Sequence, residues 1–354
     1  MYELSAAAQA ASVPFEAILA WGLAVIRALQ AHSSPALTLA ARAITFLGEP
    51  WPYLAILPFV FWCVDERRGF RLAASVVVAT GVVNAFKVGL SVPRPGTLDP
   101  TVQLVTPPDP WSTPSGHSAG AATLWPILAL GSRPAGKGRA GALAVALGIP
   151  FLVGVSRVYL GVHYPTDVLF GWAIGATVSL LALVGIPALV RTPLFARSVD
   201  PEARGFLAGL RRSLEAHREA TGRSARSFKL LAAAVVAFAL NAACPEDSSM
   251  GGAFFGLAVG YILLADRKES PTGQPKRFSA KEGGLARKAG RLALGLAVLA
   301  LLYVGLKRVL PGVSSPYYIL ARFLRYALLG LWASWGAPLA FLKLGLAGRA
   351  KPAE

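Results

Sequence analysis

The sequence predicts an all-α, polytopic helical membrane protein, and three observations carry that prediction. Of the 354 residues, 55% are hydrophobic and only 15% are charged, the composition of a chain that lives in lipid rather than in water. The apolar residues recur in blocks close to the roughly 20 residues that a helix needs to cross a bilayer. The basic residues sit in the short connectors between those blocks, as the positive-inside rule places them.

Residues 14 to 31 read as a helix carrying Glu16 and Arg27, which either spans or lies in the interface. A short helix over 35 to 47 runs into the breaker Gly48-Glu49-Pro50, and an apolar run from Trp51 to Val64 follows. After the turn Asp65-Glu66-Arg67-Arg68-Gly69 comes a segment of roughly 71 to 92, then a proline-rich loop to about 113 whose prolines at 100, 107, 108 and 110 argue against a helix. Apolar segments follow over 117 to 131, 140 to 160 and 165 to 190, with Pro165 suited to a first helical turn. In the stretch 191 to 229, Phe206, Leu207, Leu210 and Leu214 face away from Arg204, Arg211, Arg212 and Arg218, the pattern of a helix lying on an anionic membrane surface. Four further apolar segments are expected, over 229 to 243, 250 to 265, 290 to 306 and from near Pro316. In the second of these, Gly252, Gly256 and Gly260 allow close helix packing. Nine or ten spans are the expectation.

Three regions are expected: a membrane core over 1–190, a basic amphipathic linker on the cytoplasmic side over 191–229, and a C-terminal membrane extension over 230–354. The first residues lack the basic region and cleavage pattern of a secretory signal, so the N-terminus is expected to be retained. The net charge of +17 is dispersed through loops rather than gathered on one polar face, which argues against nucleic acid as a partner. Cys63 and Cys244 have no metal-ligand spacing and are expected to lie on opposite sides of the membrane, unable to pair. If each apolar block crosses once, the connectors 65 to 71, 131 to 139, 191 to 229 and 266 to 291 share one side, the cytoplasmic one. The segment ends bearing Lys87, Arg94, His117, Arg157 and His163 then share the extracytoplasmic side.

Those ends carry the chemistry. Lys87 is followed after six residues by Arg94-Pro95, then comes Pro114-Ser115-Gly116-His117, and then Ser156-Arg157, followed after five residues by His163 and after three more by Asp167. Cations at membrane-segment ends are costly without an anion to receive. Two guanidinium forks and an ammonium suit a phosphate, to which Ser115 and Gly116 at a helix start add further donors. Phosphate ester cleavage also needs a nucleophile and a proton donor. Asp167 is close enough to hold one nitrogen of His163 and leave the other free, which makes His163 the better nucleophile and His117 the better general acid. His32 and His217 lie in no motif and read as structural; Arg322 and Arg325, inside the last apolar segment, read either as functional or as pairing with a neighbouring helix.

In that order, Lys-x6-Arg-Pro, Pro-Ser-Gly-His and Ser-Arg-x5-His-x3-Asp resemble the three-part signature of the type 2 phosphatidate phosphatase family, which includes lipid phosphate phosphatases and vanadium haloperoxidases. The resemblance covers about 50 to 190, with every signature position filled. It implies a phosphomonoesterase or diphosphatase that needs no metal or other cofactor and works through a phosphohistidine at His163 with Asp167. His117 would protonate the leaving group, and Lys87, Arg94, Ser115, Gly116, Ser156 and Arg157 would line the phosphate site. The implied partners are the bilayer and a membrane lipid phosphate: phosphatidate, phosphatidylglycerol phosphate, a polyprenyl diphosphate or a sphingoid-base phosphate. The expected location is the inner (plasma) membrane. A phosphate-headgroup transporter or binding protein, and a vanadate-dependent haloperoxidase, are the alternatives.

Overall fold

The computed structural model describes residues 6–107, 109–132, 135–185, 224–265 and 278–347. The amphipathic helix expected at 204 to 218, with His217, lies outside the described residues. All named elements are helical. They are α1 (Ala6–Gln30), α2 (Pro35–Phe46), α3 (Pro50–Phe59), α4 (Glu66–Leu90), the short α5 (Pro95–Leu98), α6 (Gly116–Leu130), α7 (Lys137–Tyr159), α8 (Pro165–Leu180), α9 (Ser224–Ala243), α10 (Ser249–Ala265), α11 (Leu285–Val309), α12 (Tyr318–Leu331) and α13 (Ala337–Lys343). α3, α8 and α12 each run on into a π-helical turn.

Among the described residues, five stretches are long and apolar enough to cross a membrane: Pro35–Val64, Glu66–Leu90, Gly138–Tyr159, Pro165–Gly185 and Leu285–Val309. That is fewer than the nine or ten blocks counted along the sequence, for two physical reasons. The segments read separately at 35 to 47 and 51 to 64 join across Gly48-Glu49 into one candidate span. Other apolar blocks form shorter helices, such as α6 with 15 residues and α10 with 17. α1 is not among the five. The loop after Arg94 also holds more helix than its prolines suggested, because Pro95 opens α5 and Pro100 opens a 3₁₀ turn. A proline at the first helical position sacrifices an N–H that has no partner there anyway.

The chain divides into two compact units, Met1–Pro52 with Val82–Ser179, and Tyr53–Gly81 with Leu180–Glu354. In the first, Ile26, Val92, Val102, Val158, Tyr164 and Val168 form a buried core. α8 lies close on α6: a Cβ on Gly171 would sit 2.6 Å from the Ser115 carbonyl oxygen, and one on Gly175 2.4 Å from that of Ala119. Outward-facing Leu147, Phe151 and Leu169 stay exposed, the face a spanning helix gives to lipid. Arg27 of α1 pairs with Asp99, its Nη2 2.6 Å from Oδ2.

In the second unit, α10 packs on the segment 318–336 through the glycines that the sequence marked. Cβ atoms on Gly252, Gly256 and Gly260 would fall 2.4, 1.9 and 2.1 Å from Phe323 O, Ala327 O and Ser334 Oγ. Arg291 is fully buried and donates to the carbonyls of Trp62 (2.9 Å), Ala280 (3.1 Å) and Leu346 (2.9 Å), so its buried guanidinium is satisfied by main-chain acceptors. Cys63 and Cys244 are both free thiols. Arg322 and Arg325 find local partners: Arg322 Nε lies 3.0 Å from Asp247 Oδ1, and the Arg325 guanidinium stands over the Tyr326 and Tyr303 rings.

Candidate active site

α4 ends at Leu90 and carries Lys87 in its last turn. The chain turns at Ser91, with φ of 47°, and becomes extended. Arg94 has φ −73° and ψ 157°, the conformation forced on a residue preceding proline. The returning strand of loop is fixed beside it by an antiparallel bridge between Pro93 and Trp111 and by the Ser112 N–H donating to Val92 O at 2.8 Å. This hairpin puts Asp109 between the two cations. Lys87 Nζ donates to Asp109 Oδ1 at 2.7 Å and to Trp111 O at 2.8 Å. Arg94 donates from Nη2 to the same Oδ1 at 2.9 Å and from Nε to the Asp109 carbonyl at 2.7 Å.

Ser115 is the N-cap of α6, its Oγ accepting from Ser118 N at 3.4 Å and from Ser118 Oγ at 2.9 Å. A Cβ on Gly116 would meet only Val83 Cγ1, at 3.7 Å. Packing therefore does not demand the glycine, whose bareness leaves the first turn of α6 approachable. His117 follows in that turn. Its Nε2 is buried without a hydrogen-bond partner among the described residues, and Glu49 Oε1 lies 3.7 Å away, an ion-pair separation too long for a hydrogen bond.

The third group of residues spans the end of α7 and the start of α8. Arg157 is buried, its Nη1 donates to Thr45 Oγ1 at 2.9 Å, and its Nε has no partner. Ser156 does not join it, since its hydroxyl donates to Val153 O at 2.7 Å inside its own helix. Gly161 then takes φ +69°, and a Cβ there would fall 1.8 Å from the Val102 carbonyl oxygen. Two residues on, His163 is 1% exposed. Its Nδ1 faces Asp167 Oδ2 at 3.4 Å and its Nε2 faces Arg94 Nη1 at 3.2 Å. Arg94 Nη1 also donates to Val162 O at 2.8 Å.

Asp167 joins all three groups. Its carboxylate accepts from Ser112 Oγ (2.5 Å), from Thr113 Oγ1 and from Tyr164 N (2.8 Å), and its own carbonyl receives Ser115 N at 3.0 Å. Burial pushes the pKa of His163 down to about 3; the Asp167 contact opposes that fall, and the Arg94 and Arg157 charges add to it. The imidazole is neutral at physiological pH, with one lone pair directed at a guanidinium. Burial works to raise the carboxyl of Asp109, but Lys87 and Arg94 outweigh it and hold the group below the ordinary carboxylate range.

The structure thus gathers Lys87, Arg94, Ser115, Gly116, His117, Arg157, His163 and Asp167 in one unit, with Ser156 turned into its helix. Asp109, Glu49, Ser112, Thr113 and Thr45 are contributors that the motifs did not single out. Only Ser112 and Thr113 carried a signal, as hydroxyls immediately before the Pro-Ser-Gly-His turn.

A profile described as the PAP2 superfamily matches residues 68–191, and one described as the PAP2 superfamily phosphatase transmembrane extension matches 248–349. A decaprenylphosphoryl-5-phosphoribose phosphatase of Mycolicibacterium smegmatis is 31% identical over 153 residues, 42% of this chain and 79% of that protein. The chain belongs to the PAP2 superfamily. Other PAP2 relatives match more locally: an undecaprenyl-diphosphatase of Sulfolobus acidocaldarius is 35% identical over 33% of this chain, and phosphatidylglycerophosphatase B of Bacillus subtilis 45% identical over 18%. The chain spans 55% and 34% of the length of those two proteins. The first PAP2 profile begins at residue 68, so Thr45 and Glu49, which meet Arg157 and His117, come from sequence ahead of it.

Proposed function

We propose that this chain is an integral-membrane lipid phosphatase that cleaves a phosphomonoester or diphosphate without a metal ion, through a phosphohistidine on His163. The observation that carries the proposal is the buried, neutral His163, with Asp167 at Nδ1 and the Arg94 guanidinium at Nε2. A nucleophile must offer a lone pair next to charge that stabilises the transferring group, and this arrangement supplies both.

In the proposed reaction Nε2 of His163 attacks phosphorus and the bond from phosphorus to the leaving oxygen breaks. His117 gives that oxygen its proton. A water then attacks the phosphohistidine, returns a proton to His117 and releases inorganic phosphate. Lys87, Arg94, Arg157 and the first turn of α6 receive the equatorial oxygens, and preorganised charge of this kind is the main catalytic resource of phosphoryl transfer. The substrate class is a phosphatidate, phosphatidylglycerol phosphate, polyprenyl diphosphate or sphingoid-base phosphate. The basic connectors 65–71, 131–139 and 191–229, at the ends of α4, α6, α7 and α8 away from the site, support an extracytoplasmic site in the inner membrane. Residues 1–190 act as the catalytic region, 191–229 as a surface linker and 230–354 as an extension.

The test is phosphate release by purified protein from a panel of lipid phosphates and diphosphates. His163→Ala is expected to abolish turnover and His117→Ala to lower it by about 10²- to 10⁴-fold, the range of a general acid, with EDTA without effect. Near-normal turnover by either variant overturns the assigned roles, and strict dependence on a divalent ion overturns the metal-free reaction. A protein that only holds the headgroup would bind these lipids and release nothing.

A further inference from the structure

Lys87 and Arg94 are the two cations that open the phosphate site, yet most of their donors are already engaged. An ammonium has three N–H donors and a guanidinium five. Lys87 uses two, on Asp109 Oδ1 and Trp111 O. Arg94 uses four, on the Asp109 carbonyl, Asp109 Oδ1, Val162 O and His163 Nε2. The bonds to main-chain carbonyls are built into the loop. The two to Oδ1 are different, because they end on a side chain that is 41% exposed and can swing into water while the Pro93–Trp111 bridge and the Ser112–Val92 bond hold the backbone. In the same unit, Arg157 Nε and His117 Nε2 are buried with no hydrogen-bond partner among the described residues. Such orphaned donors point to a group that has yet to arrive.

We propose that the Asp109 carboxylate is a built-in competitor for the phosphoryl group, holding the Lys87 and Arg94 donors in the resting site and yielding them only to an anion of more than one charge. The inference rests on the phosphatase reading of the same site and adds a selectivity to it. A terminal phosphate carries about −1.5 to −2 at pH 7, so it outbids a single carboxylate for the two cations. A phosphodiester headgroup carries one charge and gains nothing by the exchange. Bulk membrane lipids present that single charge in large excess, and a phosphate site without a competitor would be filled by them. Asp109 is suited to the task because Lys87 and Arg94 keep it ionised.

The test compares wild type, Asp109→Asn and Asp109→Glu in detergent, each also in a His163→Ala background so that binding is read without turnover. Calorimetric titration with inorganic phosphate is expected to give a Kd about tenfold lower for Asp109→Asn than for wild type, a gain of about 1.4 kcal/mol. Phosphatidylglycerol in the micelle is expected to become a competitive inhibitor of the Asn variant alone, with Asp109→Glu keeping the wild-type exclusion. Equal or weaker phosphate binding by Asp109→Asn, with phosphatidylglycerol still inert, overturns the proposal and leaves Asp109 as a residue that only positions Lys87 and Arg94. Asp109→Ser replaces the Asn variant if the latter does not fold. If wild type releases phosphate from no lipid, the phosphatase reading falls while the binding comparison still decides the competition; if no form binds phosphate, both fall.

Discussion

Burial, rather than any one neighbour, sets the protonation of His163. Its folded pKa of about 3 lies below the ordinary histidine value, so the imidazole stays neutral as pH falls through the window in which an exposed histidine would charge. On the proposed mechanism, the form of His163 that attacks is then present across the whole physiological range, and its titration produces no acidic limb in kcat/KM. Such a limb belongs to the substrate, whose second phosphate ionisation lies near about 6. Replacing the phosphate by an analogue with a lower second pKa is expected to move the limb down by the same amount in a pH–rate profile. A limb that stays in place would return the titration to the protein. The motifs made His163 and Asp167 legible because their spacing is fixed by one turn, whereas Asp109 was not legible. A lone acidic residue in a proline-rich loop has no period and no fixed distance from Lys87 or Arg94, and only the hairpin through Pro93 and Trp111 brings them together.

At the scale of elements, the join between α7 and α8 decides whether His163 reaches the site. Gly161 makes that join with φ +69° and its Cα against the Val102 carbonyl. An alanine there meets the left-handed penalty of about 1–2 kcal/mol and a direct clash with the backbone. Gly161→Ala is expected to lose activity out of proportion to stability, because the displaced turn carries His163, the proposed nucleophile, two residues later. Thermal melting and kcat/KM on the same preparation check this; parallel losses would mean that the turn serves folding alone. The sequence contained the glycine but not its reason, since the obstructing Val102 is about sixty residues away in the chain. Ser156 shows the converse. It occupies a signature position, yet a local bond to Val153 takes its hydroxyl, an option always open to a serine in a helix.

At the scale of the whole molecule, hydrophobic pattern and connector charge made the class legible, and the order of the apolar blocks matches the order of the helices. The count of spans was not legible in the same way, because block composition does not say whether two short helices continue as one crossing, as 35–64 does. Nor did the motifs indicate that the N-terminal helices contribute to the site. Thr45, ahead of the matched PAP2 region, accepts a hydrogen bond from the Arg157 guanidinium. Thr45→Val leaves a buried guanidinium less satisfied, and a hydrogen bond to a charged group is worth about 1.5–3 kcal/mol. Catalytic efficiency should fall by about tenfold or more in the purified variant, and an unchanged kcat/KM would show that Arg157 is held without the N-terminal helices.

The contact between Arg94 Nη1 and His163 Nε2 has a consequence for what the site ignores. Neutral imidazole is the commonest protein ligand for transition metals, and a buried neutral histidine in a polar recess invites them. Here one ring nitrogen faces a guanidinium and the other a carboxylate already shared with Ser112, Thr113 and Tyr164 N. Neither is open to a cation, and Lys87, Arg94 and Arg157 repel one before it arrives. An arriving phosphoryl oxygen can draw the Arg94 donor off Nε2 and free that lone pair for the proposed attack, whereas zinc or copper cannot, so the pairing disfavours metal at His163.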